Sequence, residues 1–391
     1  MNFTIRKAAV LGAGVMGAQI AAHLANADVP VVLFDLAGPE GDSQRIVKKA
    51  LDGLKKQQPA PLVKRDRLHY IDAANYDSGL EALRDCDLVI EAIAERLDWK
   101  HALYARIAPF LAPSAIIASN TSGLSMQALA DGLPAAMQAN FCGIHFFNPP
   151  RYMPLVEIVP TSASAPAMLD QLESWLTTRL GKGVIRALDT PNFVANRVGV
   201  FSLLAVMYHA AAFGLAPDTV DVLTGPKIGR PKSATYRTGD VVGLDTLAHV
   251  VNTMHQSLPD DPWHGCFQLP AWVQGLIGQG ALGQKSKAGV FRKAGKAIQV
   301  FDPQTGDYRD SRDDIAPEVA AMLGMADPAI RMQALRNSGH PQAQFLWAIF
   351  RDLFHYCAVQ LGNIADNARD VDLAMRWGFG WAQGPFEMWQ P

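Results

Sequence analysis

The chain has 391 residues, 49% apolar and 18% charged, with a formal net charge of −2, as expected of a globular protein with two or three substantial cores. With no long basic run there is no electrostatic footprint for nucleic acid or anionic membrane, and no apolar run is long enough to span a bilayer. Cys86, Cys142, Cys266 and Cys357 are scattered without C-x-x-C spacing, which argues against a disulfide framework and a structural zinc site.

The first strand begins by about Lys7, so no signal peptide is expected and a reducing cytoplasm is the simplest location. Ala8-Ala-Val-Leu opens a buried strand that breaks at Gly12, a small apolar helix follows, and Val31-Val-Leu-Phe-Asp35 is the next strand. Strand, G-x-G-x-x-G, helix, strand and acid within one unit of this length point to a dinucleotide. Gly12 permits the tight turn, Gly14 admits the pyrophosphate, and Gly17 allows close helix–strand packing. Val15 and Met16 complete the loop, and the phosphates would sit at the helix N-terminus. Asp35 would accept hydrogen bonds from the adenosine ribose and repel a 2′-phosphate, which favours NAD over NADP.

Residues 42–58 read as a helix carrying Lys48, Lys49, Lys55 and Lys56, by themselves a solvated face. Cys86–Glu95 is a buried strand running into a loop, a helix follows near Trp99–Phe110, and Ala115–Asn120 is another strand. Strands alternating with helices predict a parallel, doubly wound sheet whose ligands bind beyond the strands' C-terminal ends. Glu95, Asn120, Ser122 and His145 all fall at or just past such ends. Ser122 could equally cap a helix near Ser125–Asp131.

Residues 139–147 and 155–159 read as two strands of a hairpin, with Pro149, Pro150 and Pro154 confining the turn. His145 and Glu157 then come within reach of each other. A carboxylate beside an imidazole fixes its tautomer and stabilises the imidazolium formed when the ring takes a proton. A buried histidine satisfied by a neighbouring glutamate is the plainer alternative. Pro166–Leu180 is an amphipathic helix, Gly183–Leu188 a last strand, and Asp189-Thr-Pro-Asn-Phe the domain boundary.

From 193 onward helical patterns dominate, around 193–213, 240–257, 270–279 and 341–361. Residues 283–308 read as loop with one short hairpin, and 309–338 give no clear pattern. Phe201–Gly214 is similar to Phe345–Gly362, and Asp221-Val-Leu-Thr-Gly-Pro-Lys-Ile-Gly-Arg-Pro to Asp372-Leu-Ala-Met-Arg-Trp-Gly-Phe-Gly-Trp, 151 positions on. The expected architecture is an α/β Rossmann-type doubly wound sheet (1–190) followed by an all-α part. Its helical module is duplicated, as 191–308 and an incomplete 309–391.

At this point the chain resembles the 3-hydroxyacyl-CoA dehydrogenases, particularly those within larger fatty-acid β-oxidation proteins. The resemblance is carried by Gly12–Gly17, Asp87–Glu95, Ser119-Asn-Thr-Ser122, Gly143-Ile-His-Phe-Phe-Asn-Pro149, Leu155-Val-Glu-Ile158 and Asp189–Arg197. Leu282–Phe291, with Phe291 where tyrosine is usual, and Trp381–Glu387 extend it along nearly the whole chain. It implies an NAD-dependent oxidoreductase that converts (S)-3-hydroxyacyl-CoA to 3-oxoacyl-CoA. His145 would be the base and Glu157 its partner, with Ser122 and Asn196 on the substrate's 3-oxygen and thioester region. Glu95, Lys100 and Asn148 would line the nicotinamide-ribose end. No metal is expected. The match also offers Lys48, Lys49, Lys55 and Lys56 to the coenzyme A phosphates. Asn192 replaces the family's usual glycine, and asparagine tolerates left-handed backbone. The resemblance further implies a monomer, the repeat supplying an internal pseudo-dimer, and a native protein continuing past Pro391 into an enoyl-CoA hydratase-like domain.

Two other readings remain. A dehydrogenase of small free hydroxy acids or sugar acids would need a cation deep in the site, and Arg151 is the nearest candidate. A non-catalytic dinucleotide-binding module would be free to lose His145 or Glu157.

Overall fold

The computed structural model describes residues 4–39 and 41–390. They form two compact units, one running to Phe193 and including Asn363–Asp366, the other made of Val194–Gly362 and the chain from Asn367 onward.

The first unit is built on eight strands: β1 Ala8–Leu11, β2 Val31–Asp35, β3 Ile71–Asn75, β4 Leu88–Glu91, β5 Ile116–Ser119, β6 Phe141–Phe146, β7 Leu155–Pro160 and β8 Gly183–Arg186. Their order is β3-β2-β1-β4-β5-β6-β7-β8, with every pair parallel except β6–β7. The helices are α1 Val15–Asn26, α2 Arg45–Leu54, α3 Leu97–Ile107, the short α4 Met126–Ala130 and α5 Ala135–Gln138, and α6 Pro166–Leu180. Strands β1, β4, β5 and β6 are buried along their whole length, which is why they read as continuous apolar runs rather than alternations. The chain order reverses direction across β1, between β2 and β4, the kind of crevice where sheets of this class hold ligands.

Several boundaries differ from the sequence reading. The buried strand expected to run from Cys86 into a loop by Glu95 is β4, and the loop begins where the Glu91 carboxylate accepts the Ile93 amide at 2.7 Å. Helix α2 stops at Leu54, leaving Lys55 and Lys56 beyond it. Ser125, not Ser122, caps α4, its hydroxyl accepting from the Ala128 amide at 3.2 Å. Asn192 does take left-handed backbone, φ 64°, and so does the bulky Phe193, φ 50°, which no sequence signal announced.

The second unit is mainly helical: α7 Ala195–Ala212, α8 Pro217–Thr224, α9 Tyr236–Val242, α10 Leu244–Ser257, α11 Ala271–Gly278, α12 Pro317–Leu323, α13 Pro328–Asn337, α14 Pro341–Gln360, α15 Ala368–Gly378 and α16 Pro385–Trp389. Residues expected as loop and one hairpin make a three-stranded antiparallel sheet, β9 Phe291–Ala294, β10 Ala297–Asp302 and β11 Asp307–Asp310. Only Val300 and Phe301 in it are deeply buried, so its apolar signal was too short to separate from loop. Within 309–338 the chain forms α12 and α13, each with proline in its first turn, and Asp327 caps α13. Helices α7 and α14 pack together, Phe201 stacking on Tyr356 with ring centroids 3.8 Å apart.

Two aspartates 151 positions apart do the same job. Asp221 accepts the amides of Thr235, Tyr236 and Arg237 at 3.1, 2.7 and 3.0 Å, and Asp372 those of Phe386 and Glu387 at 2.7 and 3.1 Å. Each thus caps the helix that starts about fifteen residues later. Burial pushes both carboxyls up, to about 7 and about 6, against those amide bonds. Between the two loops the Gly229 carbonyl accepts the Ala382 amide at 2.7 Å. A Cβ on Gly229 would sit 3.2 Å from Ala382, and one on Gly380 would sit 3.3 Å from Pro231. Those two contacts exchange under the same shift of 151.

Asp221→Ala and Asp372→Ala each leave a helix start without its acceptor, at a cost of roughly 1–3 kcal/mol. Denaturant melts at pH 7 should show comparable losses for the two variants.

Candidate active site

The first half of the site is the loop after β1. Gly12 has φ 104°, and a Cβ on Gly17 would overlap the Gly12 carbonyl oxygen. Nothing lies within 4 Å of where a Gly14 Cβ would be, so the backbone there is open to a ligand. Asp35, at the end of β2, accepts the Ala13 amide at 2.6 Å and the Leu36 amide at 2.7 Å. Its carboxylate therefore holds the glycine loop as well as facing the crevice.

A cavity of about 580 Å³ opens here, lined by Gly12, Gly14, Asp35, Tyr76, Ile93 and Trp99 among others. The Tyr76 hydroxyl is buried without a hydrogen-bond partner among the described residues. An open glycine loop, an acid at the strand end and an orphaned hydroxyl fit the adenosine side of a dinucleotide. Tyr76 and Trp99 escaped the sequence reading because they reach the crevice from separate segments with no shared motif.

The ends of β4, β5 and β6 are tied to one another. Glu95 accepts the Ser122 amide at 2.7 Å and its hydroxyl at 3.2 Å, together with the Thr121 hydroxyl. Asn120 accepts the Phe146 amide at 2.9 Å. Beneath them lies Glu91, fully buried, taking hydrogen bonds from Lys100 at 2.6 Å, Ser119 at 2.7 Å, Tyr104 at 3.2 Å and the Ile93 amide. Lys100 is equally buried, and its ammonium lies 3.8 Å from Glu95. The structure thus sets Lys100 under the loop that follows β4, committed to carboxylates rather than to open space. Glu91, the centre of this cluster, was not singled out from sequence, although an acid ending a buried strand is the available signal.

The second half is the hairpin. His145 and Glu157 are register partners across β6 and β7, and His145 Nδ1 lies 2.7 Å from the Glu157 carboxylate. Glu157 is fully buried and His145 is 6% exposed. Phe147 and Phe193 flank the imidazole, with ring centroids at 4.5 and 5.6 Å. With Nδ1 facing the carboxylate, Nε2 is the nitrogen left to exchange a proton. Asn148, in the turn, accepts from Gln19 Nε2 at 3.2 Å. Asn196 lies in the first turn of α7, in the other unit.

Arg151, the candidate cation of the free-acid reading, is partly buried. Its guanidinium donates to the Ala60 and Leu62 carbonyls at 2.6 and 2.9 Å. Of the lysine cluster, Lys48 pairs with Asp42 at 2.9 Å and Lys55 with Asp52 at 2.7 Å, while Lys49 and Lys56 form no ion pair among the described residues.

The NAD-binding domain of 3-hydroxyacyl-CoA dehydrogenase matches residues 7–190, and the C-terminal domain of the same family matches 193–293. The chain belongs to that family. It is 42% identical to a probable 3-hydroxyacyl-CoA dehydrogenase of Deinococcus radiodurans, over 74% of this chain and 83% of the relative. It is also 40% identical, along its whole length, to a probable 3-hydroxyacyl-CoA dehydrogenase of Bacillus subtilis, of which it spans 51%. Thus the chain spans about half the length of that curated relative. The solved 3-hydroxybutyryl-CoA dehydrogenase of Escherichia coli shares the fold, with a TM-score of 0.74 over 98% of this chain and 90% of that one at 24% identity. NAD is the cofactor of the family's first domain, and the glycine loop and cavity fit it. No helix among the described residues is long and apolar enough to cross a membrane, and no cluster of three or more metal-ligating side chains is found there.

Lys100→Met would strand Glu91 as a buried charge without its cation. Breaking such a pair costs roughly 3–5 kcal/mol. Thermal melts of the variant should show that loss, and NAD affinity should fall with it, since Glu91 also fixes the Ile93 turn of the cavity wall.

Proposed function

We propose that this chain oxidises (S)-3-hydroxyacyl-CoA to 3-oxoacyl-CoA with NAD, as a step of fatty-acid β-oxidation. The observation that carries the reading is the buried His145–Glu157 pair at 2.7 Å, on a hairpin beside a fitted NAD crevice. NAD, when bound, takes the hydride from C3. His145 Nε2 accepts the 3-hydroxyl proton, Glu157 offsets the charge on the ring, and the imidazolium later gives the proton to solvent. Ser122, held by Glu95, and Asn196 supply hydrogen bonds to the substrate's 3-oxygen and thioester region. Glu95 and Asn148 border the nicotinamide ribose, with Lys100 supporting Glu95 from below. General-base assistance of this kind is worth ~10²–10⁴ in rate.

In the free-acid reading the cation would be Arg151, whose Nη1 donates to the Ala60 and Leu62 carbonyls, so turning it to a substrate carboxylate would cost those bonds. A non-catalytic role would make the His145–Glu157 pair a satisfied core histidine, and the turnover assay separates the two readings. We also read the helical unit as a duplicated module that supplies a dimer-like interface within one chain. Equal cost of the Asp221 and Asp372 variants is its check.

Mixing the protein with NADH and acetoacetyl-CoA should bleach nicotinamide absorbance, whereas free acetoacetate should not, and NADPH should be the poorer donor. His145→Gln should lose roughly 10²–10⁴ in kcat with NAD binding nearly intact, and Glu157→Gln should lose less. Near-full activity of His145→Gln would overturn the assignment.

For coenzyme A, Lys49 and Lys56, which form no ion pair among the described residues, would meet its phosphates. Replacing both with Gln should raise the KM for acetoacetyl-CoA at low salt and flatten its salt dependence, with kcat kept. An unchanged KM would return the cluster to a solvated face.

A further inference from the structure

Lys182 is the second lysine buried in the first unit. Lys100 has Glu91, but Lys182, 4% exposed, forms no ion pair among the described residues. Lysine is almost never buried this deeply without a partner. Burial alone pushes its ammonium down to about 8. His23, on α1, is driven by burial, and next by repulsion from Lys182, to about 3, so it remains neutral and adds no second positive charge.

What Lys182 does touch is one loop. Its Nζ donates to the carbonyls of Pro150 and Met153, the latter at 2.9 Å, and lies 5.8 Å from the centre of the Phe146 ring. Its own backbone is fixed between α6 and β8: Gly181 is left-handed, and the Lys182 amide donates to Leu176 at 3.1 Å. The neighbouring Gly183 amide donates to Pro154 at 3.0 Å. The loop so held, 147–154, joins β6 to β7 and carries Asn148. Phe146 and His145 point to opposite faces of the sheet. Lys182 therefore lies on the side away from the imidazole.

We propose that Lys182 is a positioning residue: by clamping the 147–154 loop from beneath, it sets where Asn148 and the His145 end of the hairpin meet nicotinamide and substrate. The inference rests on the reading of Asn148 and His145 given above. The cavity that fits the adenosine side of NAD is lined by residues other than Lys182. Its loss should act on chemistry more than on cofactor affinity. Misplacement by about 1 Å can cost 10²-fold in rate.

The test uses the whole chain, with Lys182→Met removing every donor and Lys182→Gln keeping a neutral one. NAD affinity by fluorescence should be nearly unchanged, while kcat for (S)-3-hydroxybutyryl-CoA falls by roughly 10- to 100-fold in Lys182→Met. The kinetic isotope effect with substrate deuterated at C3 should rise, since hydride transfer becomes more rate-limiting. A change confined to stability would leave the isotope effect where it was. Hydrogen exchange at the Tyr152 and Met153 amides, both bonded to the Pro149 carbonyl, should quicken. Lys182→Gln should lie between the two forms, and it serves alone if Lys182→Met does not fold. An isotope effect and loop exchange equal to those of the unmodified protein overturn the proposal. An unmodified protein inactive on the acyl-CoA, with loop exchange still quickened in the variants, overturns the proposed function and the catalytic half of this one while leaving the clamp.

Discussion

A carboxylate taken out of water must find its hydrogen bonds inside the protein or give up its charge. Two glutamates in the first unit obey that constraint, and the site is arranged around them. Glu91 ends β4 and collects Lys100, Ser119, Tyr104 and the Ile93 amide. Glu157 sits inside β7 and holds His145. The first fixes the crevice wall where a cofactor would lie. The second fixes the tautomer of the group that would take a proton.

The sheet makes the second pairing possible. Six of its seven neighbouring pairs are parallel, and in such a pair the connection is long and each strand end faces the same edge. The turn-back from β6 to β7 breaks that rule once. It brings a residue from a strand's C-terminal end opposite a residue near the start of the next strand, which a crossover helix could not do. The turn is then fixed from two directions. Arg151 anchors it to the Ala60–Leu62 segment, and Lys182 anchors it to the α6–β8 junction.

The helical unit follows a different economy. Its longest helices are largely buried, and two of its short helices, α9 and α16, start on a carboxylate that accepts several amides, Asp221 and Asp372. Asp240 repeats the device on the Val290 and Phe291 amides, both at 2.8 Å, tying α9 to the edge of the three-stranded sheet. Capping by buried acids lets short helices end and restart without leaving backbone donors unpaired.

Local pattern by itself determined the dinucleotide unit, the hairpin and the long helices. A strand, a glycine turn, an apolar helix and a strand-end acid are each written in neighbouring residues, and prolines confine the turn after His145. The match of His145 to Glu157 was legible because the two lie only twelve positions apart. Tertiary structure alone decided the rest. Glu91 meets Ser119, Tyr76 meets the glycine loop's cavity, and Lys182 reaches carbonyls some thirty positions back. Such polar partners are distant in sequence and follow no period. Ser125 rather than Ser122 became the cap of α4 because Asp189, far along the chain, also binds its first amides and the Ser125 hydroxyl. The sheet β9–β11 was hidden for the complementary reason: it is largely exposed, so its strands carry little of the apolar alternation by which strands are read.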